Sequence, residues 1–168
     1  MTHNINSLWE WSLDVYSVEA TRNACLTLQD QHSLDINTLL WLCWCANNHK
    51  TPTAWALDKS KTIGLYWQSE LIAGIRNARK HLGNHDAAPS CQNLKKELLK
   101  LELLAEHRQQ NQLEALTTFS QDQKKWTKAN LCQNNLDLLL ASLRKKSLGC
   151  ARATEKLCAS LFEEHPKY

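Results

Sequence analysis

The apolar pattern of the chain is densest between Leu39 and Ala46, where every residue is apolar. Asp35 precedes this run, and aspartate is a residue type that caps helix N-termini. A helix that is apolar on all sides is buried on all sides. The pattern therefore predicts a central, buried helix from about Asp35 to Asn48.

Other segments repeat apolar residues three and four positions apart, which is typical of helices with one buried face. Ser7 and Glu10 form a capping box at the start of the first. Thr51 followed by Pro52 resembles an N-cap and first helical position, and Gly83 is placed to end a helix. The pattern predicts helices at about residues 8–16, 18–31, 60–81, 90–119, 123–146 and 149–164.

The stretch at about residues 90–119 predicts one helix of ~44 Å. Seven polar residues, from Glu106 to Gln112, interrupt its apolar stripe. A helix this long exceeds what a compact domain of 168 residues needs, so we expect its middle to leave the core as an arm or an exposed face. Glu102, Glu106 and Arg108 are candidate contacts for a protein partner or a second copy of the chain.

Composition supports a helical fold. The 168 residues include only 4 Gly and 3 Pro, and 43% are hydrophobic. This is the size of one ordinary domain with a core of its own. We predict an all-α, single-domain bundle of six or seven helices spanning residues 1–168.

The seven cysteines include no Cys-x-x-Cys pair, and the N-terminus does not resemble a signal peptide. The longest apolar run is far shorter than the ~18 residues that cross a bilayer. We therefore expect a cytoplasmic protein that avoids membranes and keeps its thiols reduced. Cys43 and Cys45, on the central helix, are interpreted as packing residues.

Charge is unevenly distributed. Residues 1–58 carry 2 Lys or Arg and 6 Asp or Glu, whereas residues 59–168 carry 18 and 11. Basic clusters such as Lys124-Lys125 and Arg144-Lys-Lys146 could form a nucleic-acid or ribosome-binding face. They alternate with acidic residues, and an ordinary solvated helix surface is the alternative interpretation.

A candidate polar site involves Asp30, at the C-terminal end of the second helix, where the helix dipole disfavours a carboxylate. Arg76 and Arg79, three residues apart on a later helix, could pair with it. One interpretation is a structural ion pair. The other is an open pocket for a small anionic ligand, which Asp35 and Asn37 would also line, although capping alone explains Asp35.

No catalytic signature is present. Four glycines, at positions 64, 74, 83 and 149, cannot build a phosphate-binding loop or a dinucleotide fingerprint. We assign no catalytic residue, metal or cofactor. A non-enzymatic interaction or adaptor protein acting through the long helix is the first hypothesis. A small-molecule binder or enzyme and a nucleic-acid-associated protein are the alternatives.

Several segments, taken in order, resemble a proteobacterial family of similar-sized proteins catalogued as domain of unknown function 2390. They include Leu8-Trp-Glu-Trp-Ser-Leu13, Ala24-Cys-Leu-Thr-Leu-Gln-Asp30, Leu34-Asp-Ile-Asn37, Ile75-Arg-Asn-Ala-Arg-Lys80 and Glu102-Leu-Leu-Ala-Glu106. The resemblance covers about residues 7–118 and leaves the tail from about residue 121 unmatched. It implies a helical, cytoplasmic bacterial protein and no particular activity. The family usually has Gly where this chain has Ser33, and Pro where it has Gly74.

Overall fold

The computed structural model describes residues 7–85, 89–116, 119–120, 126–145 and 147–162. Its α-helices are α1 (Leu8–Ser17), α2 (Glu19–His32), α3 (Ile36–Asn47), α4 (Ala54–Leu65), α5 (Ala73–His85), α6 (Pro89–Glu114), α7 (Lys128–Ser142) and α8 (Leu148–Phe162). A π-helical segment (Tyr66–Ile72) joins α4 to α5 without a break. The described residues therefore form seven separate helices, and the predicted all-α bundle is confirmed.

The helix α3 lies at the centre of the molecule, as predicted. Every residue from Asn37 to Ala46 is buried, and α3 packs against α1, α2, α4, α6 and α7. Each large apolar side chain buried in this way contributes about 1.5–3 kcal/mol. These five helices are thus positioned by a common contact with α3, whereas α5 packs on α6 and α8 packs on α2 and α7.

The helices α7 and α8 complete the core. Leu131, Leu136 and Leu157 have no exposed surface and belong to the same apolar cluster as the residues of α3. The buried Asn135 side chain donates to the backbone carbonyl of Leu42 at 3.1 Å. The unmatched tail of the sequence therefore packs on the same core as the family-like part.

Two of the predicted helix starts are confirmed and one is wrong. Ser7 forms the capping box with Glu10, and Asp35 caps α3. The cap of α4 is Thr53, two residues after the predicted one. Thr51–Pro52 instead forms a short strand, β1, that pairs antiparallel with β2 (Phe119–Ser120).

Three helices end on a residue other than glycine in the left-handed region. Ser33, His49 and Arg144 have φ values of 51°, 55° and 55°, and they follow α2, α3 and α7. The next residue, Lys145, donates from its side chain to the backbone carbonyls of His32 and Ser33. Its positive charge therefore lies at the negative end of the α2 dipole.

The boundaries of the two longest helical stretches differ from prediction. The helix α5 continues through Gly83 to His85, so the predicted end at Gly83 is wrong. The helix α6 ends at Glu114 rather than near residue 119, and spans 26 residues, about 39 Å. Beyond it, Phe119–Ser120 is extended and pairs with β1.

The middle of α6 does not leave the core, so the predicted arm there is wrong. Gln109 is 0% exposed and Gln110 is 2% exposed. These two glutamines are buried because Asp35, Asn37 and Gln68 offer them polar partners, whereas Arg108, Asn111 and Gln112 are exposed. The part of α6 before Ala105 is the more exposed part, and five leucines there are more than two-fifths exposed: Leu94, Leu99, Leu101, Leu103 and Leu104.

Six of the seven cysteines are buried, and Cys43 and Cys45 lie in the core as predicted. Burial raises the pKa of the Cys25 thiol to about 12. Such a thiol forms little thiolate at neutral pH and is therefore a poor nucleophile. Among the described helices, none is both long and apolar enough to cross a membrane.

Candidate ligand-binding cleft

A cleft of about 320 Å³ lies where α1, α2, α3, the π-helical segment, α5 and α6 meet. Its volume is at the lower end of the range for small-molecule sites, about 300–1,000 Å³. Six residues that the sequence singled out line it: Asp30, Asn37, Arg76, Arg79, Glu102 and Glu106. The fold thus brings into one cleft most of the predicted polar site and two of the predicted partner-contact residues.

The predicted ion pair between Asp30 and the arginines is not formed, and that interpretation is wrong for the described residues. Asp30 is exposed at the cleft. The Arg76 Nε instead donates to Glu102 at 2.7 Å and its terminal nitrogen donates to Glu106 at 2.9 Å. The Arg79 Nε donates to the other oxygen of Glu102 at 2.6 Å. One buried carboxylate therefore holds both arginines.

This arrangement separates the pKa values of the two glutamates. Burial raises the pKa of Glu102, but hydrogen bonds from Arg79 and Arg76 outweigh it, and the pKa lies below its ordinary value. Burial raises the pKa of Glu106, and the attraction of Arg76 does not offset it. Of the two glutamates, Glu102 therefore keeps its negative charge to lower pH, and Glu106 is the more easily protonated.

Of the three residues predicted to contact a partner, only Arg108 is exposed on the surface of α6. Glu102 is 4% exposed and uses both oxygens for the arginines. Glu106 is half-buried and faces the cleft. Partner contact through α6 stays a prediction, and it depends on Arg108 and the exposed leucines.

Asp35 caps α3 and also anchors a polar network. Its carboxylate accepts from the backbone N–H groups of Asn37 and Thr38 at 3.2 and 3.1 Å, and from the Thr38 hydroxyl at 2.6 Å. The side chains of Gln68 and Gln109 donate to it at 2.9 and 2.6 Å. Burial raises the pKa of Asp35, while these donors lower it, and burial has the larger effect.

The position of Asp35 requires a glycine on α4. A Cβ atom added to Gly64 would lie 2.9 Å from the Asp35 Oδ2 atom and 3.1 Å from the Thr38 Oγ1 atom. Real side chains essentially never approach a Cβ as closely as the first of these distances. Gly64 thus lets α4 pass close enough for the adjoining π-helical segment to bring Gln68 to Asp35.

A chain of amide groups runs from Asp35 to Gln110, whose side chain we call the floor of the cleft. The Asn37 amide nitrogen donates to the Gln109 side-chain oxygen at 2.8 Å, and the Gln110 amide nitrogen donates to the Asn37 side-chain oxygen at 2.8 Å. Gln109, Asn37 and Gln110 are all at most 5% exposed. Buried amides of this kind are stabilising only when they are hydrogen-bonded, which explains why the network is so extensive.

Two buried polar atoms of the cleft lining are left without a partner among the described residues. They are the Gln110 Oε1 atom and the Ser12 Oγ atom. Ser12 is 4% exposed and Gln110 is 2% exposed, and both line the cleft. An unsatisfied buried polar group costs about 1–3 kcal/mol, so a partner for either atom would be stabilising.

The mouth of the cleft carries one unpaired charge of each sign. Asp30 and Lys80 are exposed, and neither forms an ion pair within the described part of the chain. Both also line an adjoining groove of about 530 Å³, together with Asp35 and Gln68. The three acidic and three basic residues of the cleft, Asp30, Glu102, Glu106, Arg76, Arg79 and Lys80, balance in formal charge.

A sequence model for the family described as protein of unknown function (DUF2390) matches residues 7–113. The chain belongs to this family. The matched segment begins at the N-cap of α1, ends one residue before the end of α6, and contains every residue that lines the cleft. No curated protein and no solved structure matches the chain. No group of three or more metal-ligating side chains lies close enough to hold a metal ion within the described ranges.

Three residues that line the cleft were not predicted from the sequence: Ser12, Gln68 and Gln110. Ser12 lies four residues after Leu8 on the buried face of α1, so a polar residue on an apolar stripe was the available signal. Gln110 lies eight residues after Glu102 on the same side of α6 as Glu106. Gln68 had no such signal, because its direction depends on the π-helical turn, a feature often found at functional sites.

Proposed function

We propose that this protein binds a small polar organic molecule in the cleft, and that Arg79 and Lys80 receive an anionic group of that molecule. The observation that carries the proposal is the pair of buried, unpartnered atoms of Ser12 and Gln110 at a cleft lined by charged side chains. Two of the five buried side-chain atoms that have no partner among the described residues belong to the lining of this one cleft, whereas buried polar groups are usually hydrogen-bonded.

Arg79 is suited to receive the anion. Its Nε atom is used by Glu102, which fixes the guanidinium plane and leaves its terminal amino groups to bind other acceptors. Lys80 adds a mobile ammonium group at the mouth, where it can neutralise an entering anion. Arg76 cannot take this role as readily, because Glu102 and Glu106 already hold two sides of its guanidinium.

The test is a binding screen of small organic acids and amino acids by ligand-observed NMR, with two variants as controls. Lys80→Glu should weaken binding of any hit about tenfold or more, since it reverses a charge at the mouth. Lys95→Glu makes the same change on the exposed side of α6 outside the cleft lining and should leave binding unchanged. Equal effects of the two variants, or no hit at all, would contradict the proposal.

A protein contact through α6 is the second candidate function, and the five exposed leucines favour it. Leu94 and Leu101 lie two turns apart on one face and are 51% and 48% exposed. Contiguous exposed apolar side chains of this kind commonly mark interaction sites. If a second copy binds there, light scattering should detect a dimer that Leu94→Ser with Leu101→Ser abolishes. Leu148→Ser, a change at a 68% exposed leucine on α8, should leave that dimer intact.

Nucleic-acid binding stays a prediction from the sequence. Lys124, Lys125 and Lys146 lie outside the described residues. Arg79 and Lys80, which belong to another basic cluster, line the cleft. A salt-dependent affinity for nucleic acid would support this function.

A further inference from the structure

The amide chain beneath the cleft has a fixed direction, and Asp35 sets it. The Asp35 side chain is the acceptor in all five of its hydrogen bonds among the described residues: two from backbone N–H groups, one from the Thr38 hydroxyl, and one each from Gln68 and Gln109. Backbone N–H groups, which can only donate, occupy one position at each oxygen of Asp35. Gln109 must therefore present its NH₂ group to Asp35 and its oxygen to the next amide in the chain.

The same constraint passes through each amide in turn. Because the Gln109 oxygen accepts, Asn37 must donate with its nitrogen, and its oxygen then accepts from Gln110. The Gln110 side chain thus uses its donor group inside the protein, and its acceptor, Oε1, is left without a partner among the described residues. Each of these three side-chain amides could, on its own, exchange the positions of its oxygen and its nitrogen. The single carboxylate of Asp35 fixes all three.

The floor of the cleft consequently has acceptor character. The Glu106 carboxylate, which accepts, lines the cleft one helical turn before Gln110, while the Tyr16 phenol and the Ser12 hydroxyl in the same lining can accept or donate. A carboxylate or phosphate placed there would meet the Gln110 oxygen with no proton between them. A group that carries N–H or O–H bonds would instead satisfy the unpartnered acceptor.

We propose that the ligand of this cleft is amphoteric: a primary ammonium group binds at Gln110 and Glu106, and an anionic group binds at Arg79 and Lys80. This class includes the free amino acids. The inference rests on the proposed function of the cleft and adds which end of the ligand enters first. Asp35 is a positioning residue in this account, since it acts on the ligand only through Gln109, Asn37 and Gln110.

The balanced charge of the lining favours an amphoteric ligand over a simple anion. Asp30, Glu102 and Glu106 offset the three cations, and Glu102 neutralises much of the charge of both arginines. A molecule with only negative charge would have to bind close to those carboxylates. A molecule with both charges can place each beside its complement.

The experiment compares matched pairs of probes that differ only in the ammonium group. L-Glutamine and L-glutamate are titrated against their counterparts without the α-amino group, glutaramic acid and glutarate, and the same comparison is made for the other amino acids and their deaminated acids. We expect at least one amino acid to bind roughly ten- to a hundredfold more tightly than its deaminated partner, the worth of hydrogen bonds to a buried acceptor.

Two variants connect that preference to the floor of the cleft. Gln110→Met keeps the length of the side chain and removes the acceptor, so the amino-to-deaminated affinity ratio should fall toward one. Asp35→Asn lets the amide chain reverse, and it should lower the same ratio without abolishing binding of the deaminated acid. Leu13→Met, an apolar change in the cleft wall, is the control and should preserve the ratio.

The outcomes separate this inference from the proposed function. If deaminated acids bind as well as amino acids, the inference is wrong while the cleft remains a binding site. If the preference exists but survives Gln110→Met, Gln110 does not bind the ammonium group and the inference is also wrong. If no probe binds, both the inference and the proposed function are refuted.

Discussion

The position of Gly64 beside Asp35 leads to a prediction that compares one substitution at two sites. Gly64 and Gly74 both lie in the continuous helix formed by α4, the π-helical segment and α5. Alanine is favoured over glycine inside a helix by about 0.8–1.0 kcal/mol. At Gly74 a Cβ atom would meet nothing within 4 Å, so Gly74→Ala should raise the free energy of unfolding by about that amount.

At Gly64 the same gain is opposed by a clash. The added Cβ would lie 2.9 Å from the Asp35 Oδ2 atom, and extra atoms forced into a packed site typically cost about 1–3 kcal/mol. Displacing the carboxylate would also weaken hydrogen bonds to Thr38 and Gln109, worth roughly 1.5–3 kcal/mol each when a charge is involved. Gly64→Ala should therefore be destabilising by about 1–3 kcal/mol overall.

Thermal unfolding of the two variants measures the difference. For a chain of this length 1 kcal/mol shifts Tm by about 2–4 °C, so Gly74→Ala should raise Tm by a few degrees and Gly64→Ala should lower it by a few degrees or more. A Tm for Gly64→Ala equal to that of Gly74→Ala would refute the close approach of α4 to Asp35, and with it the enforced geometry of the amide chain.

Three further predictions concern the ion pairs, the end of α2 and the thiols. Glu102→Gln should lower the free energy of unfolding at pH 7 by about 2–3 kcal/mol, since it leaves two partly buried arginines underpaired. Because the pKa of Glu102 is lower in the folded protein, its stabilising contribution is complete above its unfolded pKa and is lost as the pH falls through its folded pKa. Urea unfolding should therefore show the two proteins converging in acid, and a difference that stays constant with pH would contradict this. Ser33→Gly should be stabilising by roughly 1 kcal/mol, because Ser33 has φ 51° and glycine adopts that region without strain; an unchanged denaturation midpoint would argue against it. Cys25, whose pKa is raised to about 12, should resist alkylation at pH 8 until the protein unfolds, and rapid labelling of native Cys25 in peptide mapping would show that it is not buried.

Much of the fold follows from short-range patterns that the sequence displays. The all-apolar run of α3, the cap at Asp35 and the capping box at Ser7 each depend on neighbouring residues alone, and all three predictions are confirmed. The end of α5 was mispredicted because Gly83 is tolerated within a helix that packs closely on α6. The start of α4 was mispredicted because Thr51–Pro52 pairs with a distant strand.

The sequence indicated which residues belong to the candidate site better than it indicated how they pair with one another. Asp30 lies near the end of α2, Asn37 lies near the start of α3, and Arg76 and Arg79 lie on α5. The four residues meet in one cleft, as predicted. Their pairing was mispredicted, because Glu102 reaches the arginines from α6, and nothing local in the sequence places α6 nearer to them than α2. The polar residues from Glu102 to Gln110 recur at helical spacing, which indicates a buried polar face as readily as an exposed one.

The most direct test of the ligand-binding account is an NMR titration of uniformly ¹⁵N-labelled protein with L-glutamine and with glutaramic acid, followed at the side-chain amide signals. The account predicts that an amphoteric ligand shifts the NH₂ signals of Gln110 and Asn37 and the backbone signals around Ser12, while its deaminated partner binds more weakly. Where another amino acid is the better ligand, its own matched pair should give the same signals. Shifts confined to surfaces outside the cleft, or no shift with any matched pair, would contradict the account.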